Sequence, residues 1–403
     1  MTKASGEFTV VTNDALRHLG TGPVPVRPYV DPAYYALEQA AIFKRCWLHI
    51  GHVSEVAEPK SYIVRPIEAA NASVLIVHGT DGEIRAFHNV CTHRGTKLVW
   101  DEGGKAASFS CHYHMWNFAT DGTLRAVPDQ NRFFDLDKKD CGLKRVALEI
   151  CAGFLFINLD PEPSQSLRSF LGPIAGWAEE LTVADATEFT EYSYEVDANW
   201  KTLFDNFQEV YHVRWVHDRS LGKRGTGPAN PFGYASDYKF MGRHRAMTLW
   251  GNPDFQPGTV EAAAARLTFA GRDDGGAGIV GSNDFTALFP NTFLLPRKIG
   301  AFTQTVWPIG PERTRSVIRI YWQGKARTAA EMFAREYAIG SLMDVHVEDR
   351  ALVEAGQAGL RSGAIDHIYF QSQEAMCRHF INQVMDVVDD YVRASGNHSG
   401  ALA

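Results

Sequence analysis

Two short loops constrain this chain more than any other feature. They read 91-CTHRG-95 and 111-CHYHMW-116, so a Cys-x-His is followed, seventeen residues later, by a Cys-x-x-His. Two thiols and two imidazoles on paired loops make a four-ligand metal site. Zinc takes Cys2His2 sets, but zinc fingers keep like ligands together, Cys with Cys and His with His. Here each loop offers one of each. That division suits a 2Fe–2S centre in which one iron takes both Cys and the other both His.

The surroundings of the loops agree with a β domain. Short β-rich runs at 62–67, 73–79, 84–90 and 154–159 are separated by turn signals such as Asp81-Gly82, Gly103-Gly104 and Asp121-Gly122. Pro161, Pro163 and Ser164 mark its end. Before it, Pro23, Pro25 and Pro28 keep the approach extended, and 31–47 reads as a helix with Asp31 as N-cap and Pro32 at its first position. After it, helices are expected at 166–181, 199–213, 328–355 and 370–394. Strands are expected at 188–196, 285–295, 301–308 and 314–323. The Gly- and Ala-rich stretch 256–282 reads as a long loop. The fold class is α+β. The expected domains are an arm and helix at 1–45, a metal-binding β domain at 46–163 and a larger domain at 164–403.

A second constellation lies in 199-NWKTLFDNFQEVYHVRWVHD-218. Glu209 and His212 share a helical face at i, i+3, and His217 follows five residues on. Two imidazoles this close can share a metal, and a distant carboxylate would complete a 2-His-1-carboxylate triad that leaves positions open for O2 chemistry on Fe(II). The segment 348-EDRALVEAGQAGL-360 offers that carboxylate.

These motifs resemble the Rieske non-haem iron oxygenases, the family of aromatic ring-hydroxylating dioxygenase alpha subunits and Rieske-type demethylases. The loops match Cys-x-His-Arg-Gly and Cys-x-x-His followed by an aromatic. The second stretch matches Asn-Trp-Lys and then Asn-Phe-x-Glu-x-Tyr-His-x4-His, and the third matches Glu-Asp-x4-Glu-x2-Gln-x-Gly-Leu. The resemblance implies that Cys91 and Cys111 bind one iron of the cluster and His93 and His114 the other. It implies a potential of roughly −150 to +300 mV. His212, His217 and Asp349 would bind a mononuclear Fe(II), with Asp344, about one turn earlier, as the alternative to Asp349. Glu209 would link His212 to His114 of the neighbouring subunit; many members have Asp there, and Glu resembles members acting on methylated amines. Met115 departs from the family's usual Gly. The larger domain is expected to be helix-grip-like, with an antiparallel sheet and helices.

The activity implied is that of a terminal oxygenase, using O2 to hydroxylate a small organic substrate on an aromatic ring or at an N- or O-methyl carbon. Residues 276-GAGIVG-281 match a dinucleotide fingerprint. However, turn residues precede them, a strand containing Pro290 comes after them, and no acid stands about 20 residues on to hold a ribose. NAD(P)H would therefore act only through a separate reductase, with or without a ferredoxin. The resemblance also implies a head-to-tail homotrimer, or an α3β3 assembly with a small subunit. A non-catalytic Rieske electron-transfer protein is the competing reading, but it leaves residues 165–403 idle. Phe204, Asp205, Asn206, Trp215 and Leu221 flank the ligands as pocket candidates, with Asp205 also readable as a capping or supporting acid.

Composition excludes other partners. The 40 basic against 47 acidic residues, net −7, argue against nucleic acid or an anionic membrane. No signal pattern opens the chain and no run of about 18 apolar residues occurs, so a cytoplasmic protein with reduced thiols is expected. Cys46, Cys141, Cys151 and Cys377 lack His neighbours and read as small hydrophobes.

Overall fold

A computed structural model describes residues 10–179, 182–268, 283–295 and 301–396. Contacts divide the chain into two units, residues 39–180 and residues 1–38 with 181–403. Helix α1 (Pro32–Glu38) belongs to the second unit. Asp31 caps it, its Oδ1 accepting the Ala33 N–H at 2.8 Å. The expected helix 31–47 is shorter, giving way to a wider π-type turn at Gln39–Phe43. Pro28 lies not in extended chain but in the helical turn Arg27–Val30, where its fixed φ and missing N–H are tolerated.

The first unit holds strands β1 (Leu48–His52), β2 (Ser61–Ile67), β3 (Ala72–His78), β4 (Ile84–His88), β5 (Gly103–Lys105), β6 (Ser108–Ser110), β7 (Asn117–Ala119), β8 (Leu124–Ala126), β9 (Arg145–Cys151) and β10 (Phe154–Asn158). They form an antiparallel sheet of order β1-β10-β9-β4-β3-β2-β5 and a small sheet β6-β7-β8. The unit extends beyond the expected 46–163. Helices α2 (Leu167–Leu171) and α3 (Pro173–Glu179) pack on β9. Gly172, with φ +55°, and Pro173 break the single helix expected there.

The second unit is built on an antiparallel sheet of order β11-β17-β16-β15-β14-β13-β12. Its strands are β11 (Glu188–Val196), β12 (Asp237–Met241), β13 (His244–Leu249), β14 (Asn283–Leu288), β15 (Thr292–Leu295), β16 (Phe302–Gly310) and β17 (Arg313–Trp322). Pro290 splits the strand expected at 285–295 into β14 and β15. The helices are α4 (Trp200–Asn206), α5 (Val213–Val216), α6 (Thr259–Thr268), the long α7 (Ala329–Arg361) and α8 (Ala375–Ala394). Thus α6 occupies part of the stretch read as a loop, while the rejected fingerprint at 276–281 lies outside the described residues. No described helix is long and apolar enough to cross a membrane.

Helix α4 is the keystone of this unit. Asn199 caps it, its Oδ1 accepting the Lys201 N–H at 3.0 Å. Phe204 packs between Phe293 and Phe380, at ring distances of 4.1 and 5.0 Å. Lys201 pairs with Glu38 of α1 at 2.6 Å, both side chains fully buried, and Trp200 Nε1 donates to Glu38 at 2.8 Å. Burial pushes the Glu38 carboxyl up and the Lys201 ammonium down, each opposed by the other's charge. Such a pair is costly to break because one charge is left alone in a low-dielectric interior. We expect Lys201→Met to lower the unfolding free energy by about 3–5 kcal/mol. The double variant Glu38→Gln, Lys201→Met should recover a large part of that loss in denaturant titrations.

Candidate metal centres

The loops 91–95 and 111–115 in the first unit are near copies of one another. In one, Cys91 N–H donates to Thr96 O at 2.8 Å and Gly95 N–H to Cys91 O at 3.0 Å. In the other, Cys111 N–H donates to Trp116 O at 2.8 Å and Met115 N–H to Cys111 O at 2.9 Å. Each loop closes through a left-handed residue, Gly95 at φ +77° and Met115 at φ +57°. Met115 therefore takes up the conformation that glycine adopts freely, at a cost of about 1–2 kcal/mol, with its side chain exposed.

This pairing brings like ligands together. The buried Cys91 and Cys111 thiols are hydrogen-bonding neighbours, and burial pushes the Cys91 thiol up. The His93 and His114 rings lie 4.6 Å apart. Trp116 stacks on His93 at 4.8 Å, and Phe133 meets the His93 and Trp116 rings edge-on. His114 Nδ1 is buried with no hydrogen-bond partner among the described residues. A sulfur pair beside a nitrogen pair, one nitrogen orphaned, is a donor set that fits a 2Fe–2S cluster. His112 between them is exposed.

The second centre lies in the other unit. The helix expected over 199–213 ends at Asn206, and Glu209 sets the course of the chain beyond it. Its Oε2 accepts the backbone N–H of His212 at 3.1 Å and that of Tyr211, just before the short α5. Its Oε1 takes His212 Nδ1. The expected contact between Glu209 and His212 is present, but on a capped turn rather than on a helical face. His217, at the end of α5, has its Nδ1 on Glu348 Oε2 at 2.8 Å, and Ser220 Oγ donates to the same oxygen.

With both Nδ1 atoms committed to carboxylates, both Nε2 atoms turn inward. They stand 3.2 Å apart, and Asp349 Oδ1 lies 3.5 Å from His212 Nε2 and 3.0 Å from His217 Nε2. Asp349 Oδ1 is buried and accepts no hydrogen bond from the described residues. Three lone-pair atoms about 3 Å apart match the ligand spacing around one first-row metal ion with bonds of about 2.1 Å. Burial draws the His217 pKa down, but the Asp349 and Glu348 carboxylates outweigh it and raise it overall. Among the described residues, His212, His217 and Asp349 are the one such group of ligand atoms, and Asp344 is exposed outside it.

Sequence reasoning missed Glu348 and Ser220. The signal was available, because a ligating imidazole ordinarily gives its other N–H to an oxygen and Glu348 adjoins Asp349. Of the pocket candidates, Phe204 is core and Trp215 is 70% exposed. Asp205 accepts from Tyr29 Oη at 2.8 Å and Gln208 Nε2 at 3.2 Å. Burial pushes its carboxyl up to about 8, so it supports the helix as a neutral acid.

Comparison with known proteins agrees with this geometry. Residues 46–146 match the Rieske [2Fe-2S] domain, and residues 183–390 match the ring hydroxylating alpha subunit (catalytic domain). The chain is 30% identical to the carnitine monooxygenase oxygenase subunit of Escherichia coli over 90% of both chains. It is 34% identical to the glycine betaine monooxygenase oxygenase subunit of Chromohalobacter salexigens over 52% of this chain and 46% of that one. Over 53% of both chains it is 31% identical to the 2-aminobenzenesulfonate 2,3-dioxygenase subunit alpha of an Alcaligenes species. A solved quaternary ammonium Rieske monooxygenase shares the fold, with TM-score 0.76, 22% identity, and coverage of 94% of this chain and 99% of that one. The chain therefore belongs to the Rieske oxygenases as a terminal oxygenase subunit, a Rieske 2Fe–2S domain joined to a mononuclear-iron catalytic domain, rather than an electron carrier alone.

Proposed function

We propose that this oxygenase hydroxylates a carbon bonded to the nitrogen of a methylated or quaternary ammonium compound. The observation that carries the oxygenase chemistry is the convergence of His212 Nε2, His217 Nε2 and Asp349 Oδ1 on one point, with both imidazoles oriented by carboxylates. The substrate class is supported by the carnitine and glycine betaine relatives and by Glu209. The Phe207 ring, 4.9 Å from His346 one turn before Asp349, also supports it. Aromatic faces attract quaternary ammonium groups.

In this reading Cys91, Cys111, His93 and His114 hold the 2Fe–2S cluster, and His212, His217 and Asp349 hold Fe(II). When bound, the cluster supplies single electrons and the Fe(II) supplies O2 activation at open coordination positions. Glu209 and Glu348 fix the tautomer and the aim of their imidazoles. The buried Asp349 and His217 keep bulk water from one side of the site. In net terms, a C–H bond, O2, two electrons and two protons become C–OH and water. Loss of the hydroxyl proton and breaking of the C–N bond, its electron pair leaving with nitrogen, then give a carbonyl compound and an amine.

The electrons come from a separate reductase, directly or through a ferredoxin. In this reading Glu209 would face His114 of the partner subunit in a head-to-tail homotrimer, a heterologous contact that closes by rotation. His212→Ala should lower bound iron from about three to about two per chain while keeping the visible Rieske spectrum. Loss of that spectrum would contradict two independent centres. Glu209→Ala should keep both metals and lose most turnover, and normal, fully coupled turnover would refute its bridging role. With a reconstituted reductase, carnitine, glycine betaine, methoxyarenes and arenes form the decisive panel. Amine and carbonyl products should come from the ammonium compounds, and ring diols alone would overturn the substrate class.

A further inference from the structure

Helix α7 carries two buried residues one turn apart, His346 and Asp349. Asp349 belongs to the triad, but His346 has no role there. It is 2% exposed. Its Nδ1 is hydrogen-bonded to the Tyr192 hydroxyl of β11, and its ring lies 4.9 Å from Phe207 and 5.6 Å from Tyr194. Its Nε2 is buried with no partner among the described residues. Burial draws its pKa down to about 4 despite the pull of Asp349, so the ring is neutral at pH 7. Burial also pushes the Tyr192 phenol up, so its proton stays available to Nδ1. Where Tyr192 donates to Nδ1, the proton of His346 sits on Nε2. A buried N–H with no acceptor is destabilising, and such a group in a native structure calls for a reason. On α7 the ring stands one turn from Asp349, and both are buried.

We propose that His346 Nε2–H is a specificity-determining donor to an anionic oxygen of the substrate, a carboxylate or sulfonate bound beside the triad. A neutral donor suits a zwitterionic substrate, because it recognises the oxygen without repelling the ammonium group. The proposal rests on the ammonium reading above only for its choice of first probe.

Calorimetric titration of the iron-loaded protein, without reductant, tests it on two matched pairs. These are γ-butyrobetaine against butyltrimethylammonium, and 2-aminobenzenesulfonate against aniline. His346→Phe should weaken binding of the oxygen-bearing member roughly ten- to a hundredfold and leave the other member within about twofold. Tyr192→Phe, which keeps the ring but frees its tautomer, should give a smaller loss confined to the same member. It also serves as the test variant if His346→Phe does not fold. Equal losses for both members would overturn the proposal in favour of a packing role. No loss for either would overturn it too, as would a wild-type protein that binds no oxygen-bearing member. Binding of the aromatic pair alone would refute the ammonium reading, and the His346 contrast would then be read within that pair.

Discussion

Two carboxylate–imidazole hydrogen bonds hold the catalytic site in order. An imidazole has two chemically similar nitrogens, and only a partner on one of them decides which the other will face. Glu209 takes Nδ1 of His212 and Glu348 takes Nδ1 of His217. Without them either ring could present the wrong nitrogen, and three converging lone pairs would have no reason to stay about 3 Å apart. The two acids arrive by different routes. Glu209 is local, three residues before its histidine, and also accepts the backbone N–H groups of Tyr211 and His212. Glu348 is remote and comes on the same helix as Asp349, so one helix delivers both a ligand and the support of another ligand. That coupling makes the placement of α7 a condition for the whole centre.

The support reaches further than the ligands. Helix α4, which leads into the His212 turn, is held by a buried ion pair to α1, an aromatic core and a neutral Asp205 tied to Tyr29. Gln357 of α7 accepts the Asn199 N–H at 3.1 Å and the Thr202 hydroxyl at 2.7 Å. Helix α7, which carries Asp349, is thus joined to the N-terminal turn of α4 by one amide side chain. Satisfied polar groups of this kind specify a single arrangement, because any slip leaves several of them buried and unpaired.

Much of this was legible in the sequence because the metal ligands are chemically unusual and closely spaced. The loops 91–95 and 111–116 could be read as one donor set, and 199–218 with 348–360 as another. What escaped was whatever depends on side-chain choice within a turn. Nothing in the periodicity of 199–213 indicated that the helix would end at Asn206 or that Glu209 would take two backbone N–H groups. Pro290 inside 285–295 counts in the sequence as an objection to a nucleotide site, although it also divides the strand. The unit boundary moved because α2 and α3 come after the Pro-rich link yet pack back on β9, a tertiary preference that composition does not carry. His346 was overlooked because a lone histidine on a helix is ordinarily core, and only its orphaned Nε2 distinguishes it.

The triad is asymmetric, and the asymmetry matches the two demands on it. The His217 and Asp349 side chains are 2% and 3% exposed, whereas His212 is 19% exposed. One side of the centre, that of His217 and Asp349, is therefore dry. The other side, through His212 and Glu209, comes near the surface, where Tyr211 and Trp215 are exposed. On the β unit, Tyr113 and Met115 are exposed beside His114. An electron must enter from another protein surface, while the oxygen chemistry must be kept from solvent. Residues 209–217 thus present one imidazole to the interior and one toward the surface.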